Sequence, residues 1–256
     1  MHRRDFLAVT GAGTLAALAG CSSALGSVAA PEVPTDSLES GGWVQRDESQ
    51  ETVFEESYGP LTLEAKSHTL VYGNQALRSE IREKTLGRVD GQMAMFAATR
   101  IQFSPNLADL PGDIATETII DQTESAARSQ FVSQMEDAGL ADVRQTDTGT
   151  LAVDTGEDAR LTTYEATFAV DEVSFPVTDE QSVALPESSI TVAGDLAVWK
   201  HGESVLVAGG AYPAENVDQT VTEDLSEAIS VTVDIDLGLE PSRYRENVRS
   251  LLKAVE

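Results

Sequence analysis

From Leu61 to Lys66 apolar and polar residues alternate strictly, with Leu61, Leu63 and Ala65 on one side and Thr62, Glu64 and Lys66 on the other. A period of two marks a strand with one buried face, so a strand is expected over Leu61–Val71. A partner strand over Thr52–Tyr58 joins it through a turn at Gly59-Pro60. Asn74 stands where a cap is needed for a short helix over Gln75–Leu86, and Gly87 stops that helix. Another strand, Met93–Phe103, closes on Ser104-Pro105-Asn106. The period then lengthens. Ile120, Thr123, Ala127, Phe131 and Met135 recur at three- and four-residue spacing, which predicts an amphipathic helix over Glu117–Ala138. Thr116 supplies its N-cap and Gly139 its C-terminal stop.

Three short strands are expected next, Val143–Thr146, Leu151–Val153 and Arg160–Val170, with turns at Asp147-Thr148-Gly149 and Thr155-Gly156-Glu157-Asp158. Ser174–Pro186 carries two prolines and reads as a looser stretch. Two longer strands, Ile190–His201 and Ser204–Tyr212, meet at His201-Gly202-Glu203. Val217, Val221, Leu225 and Ile229 fall at every fourth residue and predict a helix over Ala214–Ile229, followed by a strand over Val231–Leu237. A last helix, Pro241–Val255, has proline in its first turn and an apolar stripe of Tyr244, Val248, Leu251, Leu252 and Val255. Runs of adjacent strands broken by helices define an α+β fold, an antiparallel β-sheet with three or four helices packed on it. No repeat or second linker interrupts the chain after residue 42, so residues 43–256 are expected to form a single domain.

The N-terminus follows different rules. Arg3 and Arg4, a polar residue, then Phe6 and Leu7 match the consensus of the twin-arginine export signal. The apolar stretch Phe6–Ala19 has 14 residues and includes two glycines. A membrane span needs about 20 residues, so this stretch suits a signal peptide instead. Leu18, Ala19 and Gly20 before Cys21 form a lipobox, in which small residues give a peptidase access to the backbone and the thiol takes a diacylglyceryl group as a thioether. Cys21 is the sole cysteine, which leaves no internal disulfide. Residues 1–20 are therefore read as a signal peptide and residues 21–42 as a lipidated Cys and a flexible tether rich in serine, glycine and proline. The expected location is the extracytoplasmic face of the cell membrane, held by the lipid on Cys21.

Charge narrows the setting further. The chain has 43 Asp and Glu against 17 Lys and Arg, a net charge of −26. Such a chain repels itself in dilute buffer, whereas in molar salt the Debye length falls to about 3 Å and most of that repulsion is screened. A salt-rich environment is therefore expected. Phosphate contacts need clustered basic side chains, so nucleic acid is not an expected partner.

Candidate chemistry is sparse. Asp-Thr-Gly occurs at 147–149 and 154–156. An aspartic protease sets two such aspartates face to face from separate lobes. Here they are seven residues apart on one meander, and both read as solvated turns. His68 and His201 are the histidines beyond the leader, and no ligand spacing accompanies them. Asp234 and Asp236 with Gly238 echo the start of a calcium loop, without its glycine position or distal Glu, and read as surface carboxylates. No metal site and no cofactor is expected, and no catalytic residue is assigned.

The leader and the acidic bias resemble those of haloarchaeal twin-arginine lipoproteins. The body, from Gly41-Gly42-Trp43 through Phe96-Ala97-Ala98-Thr99-Arg100 to the C-terminus, is similar to an uncharacterised haloarchaeal family of such proteins. A long helix before a hairpin-rich sheet, with a helix after it, also resembles PsbP-like domains in layout. That resemblance implies an accessory or scaffold role at a membrane. Two functions from different classes follow. One is a lipid-anchored binding or accessory module with a protein partner at the cell surface. The other is an extracytoplasmic hydrolase using scattered carboxylates. A deep polar pocket with converging Asp, Glu or His favours the enzyme, and a shallow groove or an apolar patch favours binding.

Overall fold

The computed structural model describes residues 27–58, 61–87, 89–109, 116–170, 172–176, 182–226 and 229–256. The elements in chain order are α1 (Thr35–Gly41), β1 (Trp43–Tyr58), β2 (Leu61–Asn74), α2 (Gln75–Lys84), β3 (Met95–Ser104), α3 (Thr116–Asp137), β4 (Leu140–Ala152) and β5 (Asp158–Val170). They continue with β6 (Val173–Pro176), β7 (Ser182–Leu185), β8 (Ser188–His201), β9 (Ser204–Pro213), β10 (Asp218–Ser226), β11 (Ile229–Asp236) and α4 (Pro241–Lys253). Seven strands form one antiparallel sheet in the order β1-β2-β3-β9-β8-β5-β4, and β6-β7 and β10-β11 are separate hairpins. The fold is α+β. Among the described residues no helix is long and apolar enough to cross a membrane.

The sheet order follows from burial. In β8 the run Val192–Trp199 is buried at every position, so this strand has both faces covered and belongs at the centre. Neighbouring residues point to opposite faces, and the core divides accordingly. Trp199 and Leu206 join one cluster with Leu77 of α2 and Val248, Leu251 and Leu252 of α4. Val198 and Val205 join the other with Ile119, Ile120 and Met135 of α3. Glycine permits the close approach on each side. A Cβ on Gly209 would stand 2.9 Å from the Phe131 ring, and one on Gly210 would stand 2.7 Å from Val248 Cγ1. The edge strands are polar instead. Residues 144–150 of β4 are exposed, and β1 carries Asp47, Glu48, Glu51 and Glu55 together with two register shifts. Charges and bulges of this kind discourage pairing with another chain.

Several expectations hold closely. The Asn74 side chain accepts from Leu77 N and caps α2 as expected, although that helix ends at Lys84, before Leu86. All five residues of the α4 stripe are buried. Others need correction. The helix expected over Ala214–Ile229 is absent, and that segment forms β10 and enters β11. A spacing of four is also a multiple of two, so Val217, Val221 and Leu225 fit a strand as well as a helix. The β-branched Thr220, Val221 and Thr222 facing Thr232 and Val233 decide the matter. The strands expected at Val143–Thr146 and Leu151–Val153 are one strand, β4, which runs straight through Asp147-Thr148-Gly149 with an irregular register nearby. Ser174–Pro186 contains the β6-β7 hairpin.

The folded body also begins earlier than Trp43. Val28 and Leu38 are buried. Glu32 exchanges both backbone hydrogen bonds with Glu256, at 2.5 and 2.9 Å, so the N-terminal segment is fastened to the end of the chain. The serines, glycines and prolines of residues 22–42 conceal an apolar series, Val28, Val33 and Leu38, that packs on the body together with α1.

Candidate functional site

Two polar constellations and one cavity stand out. The first centres on Asp195, whose side chain is 0% exposed within the buried run Val192–Trp199 of β8. Asp195 lies opposite Gly210 on β9 and Thr163 on β5. Arg249 of α4 donates from Nε at 2.9 Å and from a terminal nitrogen at 3.2 Å. The Tyr212 hydroxyl donates at 3.0 Å and the Thr163 hydroxyl at 3.0 Å. Burial pushes the Tyr212 phenol up to about 12, assisted by the Asp195 charge and their hydrogen bond. The hydrogen bond to Asp195 raises the Arg249 guanidinium, against its own partial burial. Each carboxylate oxygen already accepts two donors, so Asp195 has little capacity left for a substrate. Its work is to fix α4 in register: Val248 lies over Gly210 while Arg249 reaches Asp195. At the start of the sheet Trp43 Nε1 donates to Asn247 of the same helix.

The second constellation holds His68, which is buried on β2. Its Nδ1 lies 2.8 Å from the Val28 carbonyl, and its Nε2 lies 2.8 Å from a Glu48 carboxylate oxygen. Gln50 stands 3.2 Å from Nδ1. His68 thus stitches the N-terminal segment to β1 and β2. His201 closes β8 and pairs with Glu157 at 3.0 Å. Asp234 accepts from Thr220, and Asp236 from Asn216 and the Gly238 amide, so both serve the β10-β11 hairpin. Among the described residues no three His, Cys, Asp or Glu side chains gather as a metal-ligand set. Asp147 is exposed on the β4 edge and Asp154 is exposed at a turn, on separate elements. Arg3, Arg4, Phe6, Leu7, Leu18, Ala19, Gly20 and Cys21 lie outside the described residues.

The cavity lies under the C-terminal half of α3 and has a volume of about 920 Å³. Its origin can be traced to side-chain size. Phe131 presses onto Gly209 and Gly194 and acts as a prop. Beyond it the sheet offers small floor residues, Ala97 and Ala211, and the helix turns polar at Glu136 and Asp137. Gly139, at φ +87, then takes the chain away into β4. The sheet and helix therefore diverge without enough side-chain bulk to fill the gap. Met95, Val192, Phe168 and Leu140 complete the apolar wall. The polar lining residues are Gln92, Gln134 and Asp137. The Gln92 amide nitrogen is already committed to the carbonyls of Ala94, at 2.7 Å, and Asn74, at 3.3 Å. Among the described residues no Ser, Cys, His, Lys or Arg lines the cavity, so these present neither a nucleophile with a base nor an anion-binding group.

Sequence reading missed both the cavity and Asp195. One acid inside Val192–Trp199 is a signal, because a charge in an apolar strand needs a buried partner. The small-residue run Ala208-Gly209-Gly210-Ala211 marks where bulk is lacking.

The fold and the cavity define an α+β domain with an apolar-lined opening bordered by residues of α3 and of the sheet. Over residues 30–256 the chain matches a domain of unknown function, DUF6517, and it belongs to that family. No curated protein and no solved structure matches the chain.

Proposed function

We propose that the protein is a lipid-anchored binding or accessory module on the extracytoplasmic face of the membrane, with the cavity beneath α3 as its binding site. In this reading α3 and α4 are packed on opposite faces of the sheet. α4 is locked by Arg249 and Asp195, and α3 is the cover of the site. The observation that carries the proposal is the composition of the cavity, which is apolar with a few polar groups near one end. A hydrolase would need acids or a nucleophile converging on an open space. The buried carboxylate available, Asp195, is instead engaged by Arg249, Tyr212 and Thr163. The anchor is supported by the lipobox ending at Cys21, and export in folded form by Arg3 and Arg4. A salt-rich setting is supported by the net charge of −26.

The position of Val28 sharpens the geometry. Six residues, 22–27, separate it from Cys21. At the extended length of the chain the lipid then holds the body within about 25 Å of the membrane. Cys21→Ser removes the acceptor thiol, and the variant should leave the membrane fraction as a precursor or a shed protein. Replacing Arg3 and Arg4 with Lys should retain the precursor inside the cell. A Cys21→Ser protein that still fractionates with membranes, with the same mobility as wild type, contradicts the anchor.

A further inference from the structure

We infer that the cavity beneath α3 takes an uncharged, lipid-like molecule with a hydroxyl or carbonyl head and discriminates against anionic amphiphiles. The inference rests on the binding reading above and specifies its ligand. Three observations carry it. Met95, Ala97, Phe131, Leu140 and Phe168 line the cavity while only partly buried, so their apolar surface converges on one opening. An apolar occupant would remove that surface from water, which is the favourable direction. The volume of about 920 Å³ lies near the upper end of the range that small-molecule sites occupy, roughly 300–1,000 Å³.

Charge supplies the discrimination. Among the described residues Asp137 is the sole charged residue of the lining, Glu136 is next to it in the chain, and no lysine, arginine or histidine lines the cavity. A carboxylate, sulfonate or phosphate head would be brought towards a like charge and would lose water without gaining a cation. Gln134, three residues earlier on α3, makes no side-chain hydrogen bond among the described residues. Its amide can both donate and accept, which suits a hydroxyl or a carbonyl.

Two fluorescent probes that differ chiefly in charge test the inference on the full chain at about 0.15 M KCl, where a Debye length of about 8 Å leaves the Asp137 charge felt in the cavity: neutral N-phenylnaphthylamine and its anionic relative, anilinonaphthalene sulfonate. The neutral probe should bind with blue-shifted emission, and the sulfonate should bind at least about tenfold more weakly, about 1.4 kcal/mol. Ala97→Trp puts an indole into the cavity floor and should weaken the neutral probe by about tenfold or more. Asp137→Asn, an exposed change that leaves packing alone, should bring the sulfonate to within about threefold of the neutral probe. It decides the charge argument even if Ala97→Trp does not fold. Equal binding of both probes, unchanged in Asp137→Asn, overturns the ligand class and leaves the binding reading standing. Full affinity in a folded Ala97→Trp protein places the probe elsewhere and overturns the site. No binding of either probe to wild type overturns the inference, and anchoring through Cys21 is judged separately by fractionation.

Discussion

Arg249→Met should destabilise the domain by about 3 kcal/mol, measured by denaturant unfolding in molar salt, the low end of the range for breaking a buried ion pair. The cost arises at Asp195, which has no exposure and keeps only the Tyr212 and Thr163 hydroxyls when the guanidinium is gone. The Arg249 side chain itself is 38% exposed, so the reverse change, Asp195→Asn, should cost less, because the freed guanidinium can turn to water. A second signature lies at alkaline pH. Tyr212 is pushed up to about 12 by burial, beside the Asp195 charge. A phenol whose proton is held more tightly in the folded state contributes stability that is complete below its unfolded value, about 10. That contribution falls away as pH rises from about 10 towards 12. Tyr212→Phe should flatten this alkaline loss. If Arg249→Met unfolds at the wild-type denaturant concentration, Asp195 does not hold α4, and the helix depends on its apolar stripe alone.

Salt should have an effect of similar size across the whole domain. The acids cluster as well as outnumber the bases. Asp47, Glu48, Glu51 and Glu55 share the β1 edge. On α3 Glu117, Asp121 and Glu124 converge on Arg160 from β5, with Arg128 as a second partner for Glu124. At about 0.01 M salt the Debye length is about 30 Å, so these groups repel across the body, and at 1 M it is about 3 Å. Salts excluded from the surface also strengthen apolar burial. The melting temperature should rise by at least about 10 °C between dilute and molar KCl, which corresponds to roughly 3–5 kcal/mol at this chain length. Mild acid should also raise stability at low salt, as carboxylates lose their charge. A melting temperature that stays flat across the salt series contradicts the salt-dependent reading and leaves an ordinary acidic domain.

The parts of the fold that were legible in sequence are those where one period dominates. The α4 stripe from Tyr244 to Val255 has no strand reading, and all of it is buried. β8 and β9 meet at His201-Gly202-Glu203 as the turn residues require, with Gly202 at φ +57. Errors came where local pattern is ambiguous. Val217, Val221 and Leu225 satisfy both periods, and only pairing with β11, fixed by tertiary structure, separates them. Asp147-Thr148-Gly149 has turn composition, yet its partners on β5 hold it extended, Gly149 facing Leu161. Residues 27–42 read as linker because composition averages over Val28 and Leu38, whose partners lie far away in sequence: the Val28 carbonyl accepts from His68 Nδ1, and Leu38 packs into the core cluster that includes α4. The candidate site was the least legible part. A cavity is a lack of side-chain volume between α3 and β3, β8 and β9, segments up to about a hundred residues apart, and no local window records it.

The most direct measurement is native mass spectrometry of the wild-type protein extracted from its own membranes in mild detergent, beside Ala97→Trp prepared identically. The account predicts an uncharged apolar species bound to wild type, released by organic solvent and absent from a folded Ala97→Trp protein. Wild type and variant carrying the same load, or wild type carrying none, would contradict a binding module built around the cavity beneath α3.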